Sequence, residues 1–283
     1  IAANRSRPFF LYLPFTEPHV AIHPPRESVE RFPAEWDKEP YRGQHGYLPH
    51  PRPRAGYAAM ISDLDDHVGR VMAALAKAGV ADRTLVVFTS DNGATLPRAA
   101  HTSCNVGGVD AQFFNSTAGL RDFKGSVYEG GIRIPMIAWL PGRVPAGTTS
   151  DAPSYFADWF PTLCDAAGLK KPAGLSVESL WSIMTGGPAP TSRKAMVWVF
   201  PGYRGQMAVR MGDFKVVRQR LSTKTPGPWE VYNLADDRAE ANDLAAQHPE
   251  IIAKAKELLR REVADNPVFP LPIPGVNAPE DAK

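Results

Sequence analysis

The sequence contains no apolar run near the ~18 residues that a membrane-spanning helix needs. Cysteine is scarce, two in 283 residues. Cys104 and Cys164 stand in unrelated contexts, so neither a disulfide framework nor a paired-cysteine metal motif can be read from them. No charge of one sign is in excess: 32 Lys and Arg against 30 Asp and Glu leave a formal net charge of +2. With no basic stripe either, nucleic acid and polybasic membrane contact drop out as expected partners. There is no internal repeat. The first residue is Ile1, and residues 1–7 lack the charged-then-apolar pattern of a leader. The expectation is a processed chain or a piece of a longer one.

Against these absences, 43% hydrophobic and 22% charged residues are globular values that allow a sizeable core. The 28 prolines fall mostly between periodic segments, which predicts long ordered loops over a rigid scaffold. Pro8-Phe-Phe-Leu-Tyr-Leu-Pro14 reads as a short strand buried on both faces. Residues 24–54, rich in Pro, Arg and His, show no period and read as a covering loop. The clearest helix follows, with Tyr57, Met60, Ile61, Leu64, Val68, Val71, Met72 and Leu75 at three- and four-residue steps and Gly79 placed to stop it. A buried-type strand comes next, Thr84-Leu-Val-Val-Phe-Thr-Ser90, and another at 134–140. Residues 158–168 read as a short helix with an Asp cap and a glycine stop. Beyond a Gly/Pro-rich stretch at 168–192, residues 196–200, 207–217 and 229–234 predict a small antiparallel sheet, and 249–263 a helix. The fold class is α/β: part of a wound mixed sheet flanked by helices, then a small antiparallel sheet plus a C-terminal helix. The expected divisions are 1–175, 176–264, and a Pro-rich tail at 265–283 that is extended or disordered.

Two strings carry chemistry. Asp91-Asn92-Gly93 directly follows the Thr84 strand, where an α/β sheet presents ligands at its carboxyl edge. A carboxylate and an amide oxygen there suit a hard cation, although Asp-Asn-Gly is also a good turn in its own right. Lys124-Gly-Ser-Val-Tyr-Glu-Gly-Gly-Ile-Arg-Ile-Pro135 is the second. Its glycines permit tight backbone conformations that could carry a lysine into a cleft, where otherwise a loop lysine is a solvated charge.

Together these strings, with Thr16-Glu-Pro-His19, resemble the type I sulfatases of the alkaline phosphatase superfamily. The resemblance runs from about Pro8 to Val263. It implies hydrolysis of sulfate monoesters, with Asp91 and Asn92 as ligands of one calcium ion. It also implies that Lys124 contacts a sulfate oxygen and that His19 reaches the ester oxygen or the sulfate. Imidazole is suited to protonating a departing alkoxide near neutral pH. His101 is a further candidate substrate contact, with a surface histidine as the alternative. Glu129 and Arg133 are expected to pair and hold the loop. The implied partner is a small sulfate ester or a sulfated glycan, and the implied location is periplasmic or extracellular.

One family feature is missing. Sulfatases convert the first residue of Cys/Ser-x-Pro/Ala-x-Arg to formylglycine, their nucleophile, and neither Cys104-Asn-Val-Gly-Gly nor Cys164-Asp-Ala-Ala-Gly fits. The family's early paired aspartates are absent as well, since Asp65-Asp66 lies mid-helix on the polar side. The expectation is therefore the C-terminal part of a sulfatase, inactive alone and weak for calcium. Two alternatives stand beside it: a phosphonate or phosphodiester hydrolase of the same superfamily, and a noncatalytic glycan-binding module.

Overall fold

The longest helix shows how sequence and packing divide the work. The computed structural model describes residues 1–95, 106–175, 177–190, 195–263, 267, 268, 270 and 272–279, and they fall into two compact units. The first comprises residues 1–89, 95–116 and 136–147, the second 90–94, 117–135 and 148–283.

In the first unit, α1 (Arg26–Glu30) packs on α2 (Pro53–Lys77). Proline opens α2, where its missing N–H costs nothing. The next amides, of Arg54 and Ala55, donate to the Asp37 carboxylate at 2.7 and 3.0 Å, an anion placed where the helix dipole favours one. At the other end the Val80 N–H donates to Leu75 O and the Gly79 N–H to Ala76 O. These are the two bonds that close a helix through a glycine. The apolar face is unevenly covered: Tyr57, Met60 and Leu75 are buried, whereas Ile61, expected on that face, is 44% exposed. Asp65 and Asp66 are exposed, as a polar helix face should be.

β1 (Val86–Thr89) and β2 (Met136–Trp139) form an antiparallel pair, Val86 opposite Trp139 and Thr89 opposite Met136. Both are shorter and less buried than the sequence suggests. The segment 8–14 departs further. It forms no strand, and Phe10 and Tyr12 are 76% and 74% exposed. A strand apolar on both faces needs a neighbour on each side and a layer above and below, and the described residues supply none for it.

The second unit contains α3 (Glu129–Ile132), α4 (Trp159–Ala166), α5 (Trp181–Met184), β3 (Met196–Phe200), β4 (Gln206–Met211), β5 (Phe214–Gln219), β6 (Trp229–Asn233) and α6 (Pro249–Glu262). The four strands are antiparallel in sequence order. Because side chains alternate across a strand, Met207, Val209, Val216 and Val231 meet Ala255, Leu258 and Leu259 of α6 on one face. On the other face, Ala208, Val217 and Tyr232 meet Val127 and Tyr128. The sheet is thus covered on both sides, once by a helix and once by the lysine-bearing loop. Asp158 is fully buried, but its carboxylate accepts from the amides of Tyr155 and Glu178, not from the helix it precedes.

Within the tail, residues 272–279 pack as a turn. Pro274 bridges to Ala278, and the buried Ile273 completes the core under α6. Removing that one large aliphatic side chain from water favours order at residues 272–279.

Candidate active site

The loop that carries Lys124 owes its shape to backbone packed on backbone. The Gly130 N–H donates to Arg121 O at 2.8 Å and the Gly131 N–H to Tyr128 O at 2.9 Å. A Cβ on Gly130 or Gly131 would lie 2.1 Å from Asp122 O or 2.2 Å from Ser126 O, so the paired glycines of the Glu-Gly-Gly string are a steric requirement. Arg121 lays its guanidinium over the Tyr128 ring at 3.8 Å and donates to the Tyr232 hydroxyl at 2.6 Å. Both phenols donate to Glu230 at 2.6 Å. Burial, followed by those bonds to a carboxylate, pushes the two phenols well above their usual range.

The Asp91 turn docks directly onto this loop. The Gly93 N–H donates to Gly131 O at 2.9 Å, and the Lys124 N–H donates to Ala94 O at 2.7 Å. A Cβ on Gly93 would sit 1.9 Å from Gly130 O. Each of the two strings singled out in the sequence is therefore a partner of the other. Asp91 is exposed, Asn92 and Lys124 are half-buried, and among the described residues none of the three side chains has a hydrogen-bond or ion-pair partner.

The expected pairing of Glu129 with Arg133 exists at 3.5 Å, but it is the weaker of that carboxylate's contacts. Glu129 accepts from Lys215 at 2.8 Å, and Lys215 also meets Glu240 at 2.9 Å, all three side chains almost wholly buried. The Glu240 carboxylate further accepts the Glu129 N–H at 2.6 Å. Burial raises the Glu240 carboxyl above its usual range, against the pull of Lys215. Sequence reasoning missed Lys215 and Glu240. The available signal was parity: in Phe214-Lys-Val-Val217 the lysine shares a face with the buried Val217.

His19 lies in the first unit, exposed, in a turn closed by its N–H to Thr16 O. Its Nδ1 sits 2.6 Å from Val20 O. A carbonyl only accepts, so Nδ1 carries the hydrogen of the neutral ring and Nε2 is left as its acceptor. His101 and Cys104 lie outside the described residues.

For a calcium ion, the test is donor type and number. Asp91 and Asn92 offer oxygens of the right kind, but calcium takes about six to eight. Among the described residues no group of three or more His, Cys, Asp or Glu is placed to hold a metal. Asp91 and Asn92 thus match calcium in donor type and fall short of it in donor number.

What the fold and the geometry define is an α/β protein in which the Asp91-Asn92-Gly93 turn after β1 is hydrogen-bonded through its backbone to a glycine-rich loop that carries a lysine. Comparison with known proteins makes this specific. The Sulfatase family model matches residues 1–169, and the N-sulphoglucosamine sulphohydrolase C-terminal model matches residues 119–265. The chain belongs to the sulfatase family. A sulfatase of Formosa agariphila is 32% identical over 86% of this chain and 43% of its own length. The N-acetylgalactosamine-6-sulfatase of Mus musculus is 31% identical over 82% of this chain and 38% of its own. The chain thus spans less than half the length of these relatives.

Among solved structures, Ps i-CgsB in complex with k-i-k-neocarrahexaose superposes with a TM-score of 0.73 at 27% identity, over 92% of this chain and 51% of that one. A complex with D-glucosamine-2-N,6-O-disulfate as substrate gives 0.57 at 27% identity, over 73% and 39%. The phosphonate monoester hydrolase of Agrobacterium radiobacter gives 0.52 at 26% identity, over 72% and 40%.

Proposed function

We propose that the protein to which this chain belongs hydrolyses sulfate monoesters, with sulfated sugars such as N-acetylgalactosamine 6-sulfate as the substrate class. The observation that supports this reading most is the mutual docking of the Asp91–Gly93 turn and the Lys124–Gly131 loop through two backbone hydrogen bonds. In this reading Asp91 and Asn92 give oxygens to calcium, which would supply positive charge to the sulfate group. The Lys124 ammonium holds a sulfate oxygen and offsets the charge that develops as the S–O bond breaks. By the family resemblance His19 would act as imidazolium, keeping its Nδ1–H on Val20 O and giving its Nε2 proton to the departing alcohol, which leaves the ring neutral. Formylglycine is expected on a segment with the family's nucleophile motif, which this sequence does not contain. The chain by itself is expected to be inactive.

The test uses a form of the protein that carries that segment. Lys124→Ala is expected to lower turnover of 4-nitrophenyl sulfate by ~10²–10³, and unchanged kinetics would remove Lys124 from the site. The likeness to the phosphonate monoester hydrolase motivates a second reading, a phosphonate or phosphodiester hydrolase. Faster turnover of the aryl phosphonate than of the aryl sulfate would select it. As further parts of the proposal, residues 1–175 belong to the catalytic domain and 176–264 to a C-terminal subdomain, and the location is periplasmic or extracellular.

A further inference from the structure

The connection between β3 and β4 is strained and exposed at the point where it meets the Lys124 loop. Tyr203, Arg204 and Gly205 have φ of 51°, 74° and 78°, three consecutive residues in a region that non-glycine residues seldom occupy. The turn is nonetheless held firmly. Leu221 N–H donates to Gly205 O at 3.0 Å and Ser222 N–H to Arg204 O at 2.9 Å.

What the strained turn presents is an aromatic ring. Tyr203 is 68% exposed, so its conformation is not repaid by burial of the ring. Phe200, also exposed, sits beside it with ring centroids 5.9 Å apart. One edge of Tyr203 rests on Gly125, the residue after Lys124: a Cβ there would lie 2.5 Å from the ring. The buried Gln206 locks hairpin and loop together, its Nε2 donating to Gly125 O at 2.7 Å and its Oε1 accepting from the Val127 N–H at 3.3 Å. Arg204 adds an exposed cation on the same turn.

We infer that Tyr203, backed by Phe200, is a stacking platform for the pyranose ring of a sulfated sugar whose sulfate lies at Lys124. The inference rests on the sulfate-ester reading for the role of Lys124. A pyranose presents an apolar C–H face to an aromatic ring and hydroxyls at its rim, which suit a phenol at the edge of the platform. A bare sulfate ion would need the lysine and calcium ligands but no exposed ring beside them.

Binding by this chain as it stands separates the two ideas, because neither arm requires turnover. Calorimetric titration with N-acetylgalactosamine 6-sulfate and with N-acetylgalactosamine is compared for the wild type, Tyr203→Ala, Tyr203→Phe and Lys124→Ala, after melting curves establish that each variant is folded. The platform predicts that Tyr203→Ala weakens both sugars by about 3- to 10-fold while Tyr203→Phe retains most of the affinity. Lys124→Ala should weaken only the sulfated sugar. Sensitivity to Tyr203→Ala with none to Lys124→Ala would keep the platform and sink the sulfate assignment. Binding unaffected by Tyr203→Ala, or no binding of either sugar at millimolar concentration, would overturn the platform. So would equal loss in Tyr203→Ala and Tyr203→Phe, since the ring would then not be what the sugar contacts.

Discussion

Two apolar stretches of this chain meet opposite fates. Residues 8–14, in the first unit, form no ladder and leave Phe10, Leu11, Tyr12 and Leu13 exposed. Residues 206–219, in the second, make two strands with Met207, Ala208, Val209, Val216 and Val217 wholly buried. Apolarity does not separate them. The second stretch brings its own partner, because Gly212-Asp213 turns the chain so that Met211 faces Phe214 and the hairpin closes within a few residues. Sequence-near strands β3 and β6 then flank it. The first stretch lies far along the chain from any described strand. An apolar run is a strand only where neighbours are supplied, and a local hairpin supplies them at the lowest cost in chain entropy.

The comparison can be broken most forcefully at Lys215. It lies under the sheet between two buried carboxylates, so Lys215→Met should destabilise the second unit by about 3–5 kcal/mol, because Glu129 and Glu240 are left buried without their cation. Urea unfolding followed by tryptophan fluorescence would measure this. A loss below about 1 kcal/mol would mean that water or other groups compensate the carboxylates.

The next effect concerns alkaline pH. Tyr128 and Tyr232 keep their protons in the fold beyond the ordinary phenol range, whereas the unfolded chain gives them up near pH ~10. Their contribution is therefore present at neutral pH and is lost as pH rises above ~10. Stability measured from pH 8 to 11 should fall more steeply in the wild type than in Tyr128→Phe, which should itself cost about 1 kcal/mol at neutral pH. Parallel curves would show that the Glu230 contact does not hold the phenol proton.

The smallest effect belongs to the first unit. Phe10→Ser removes a ring that is already in water, and stability should stay within about 0.5 kcal/mol. Binding of a hydrophobic dye and aggregation should nevertheless decrease, because the exposed apolar strip shrinks. A marked loss of stability would mean that residues 8–14 are covered in solution.

Much of the fold was legible because its signals are short-range. The α2 period, the glycine that ends it, the β3–β6 runs and the amphipathic α6 are each decided by residues within a few turns of one another. The burial of Ile273 was not legible for the complementary reason. Composition says proline, while one side chain, Ile273, has a core position waiting for it. For the candidate site, Asp91, Asn92 and Lys124 could be named from their strings. That those strings are hydrogen-bonded partners through Gly93 and Ala94 could not.

By itself, the sequence determined which chemistry-bearing side chains stand where: a carboxylate and an amide after a strand, a lysine in a glycine-rich loop, a histidine in a tight turn. Only the tertiary structure decided what steadies them. Lys215, Glu240 and Gln206 come from 81 to 111 residues away along the chain to grip Glu129 and Gly125, and Tyr203 arrives beside Gly125 by the same route. The physical reason is that a buried charge or a backbone amide accepts any partner of suitable geometry, whatever its distance in sequence. No local pattern records which one it will be.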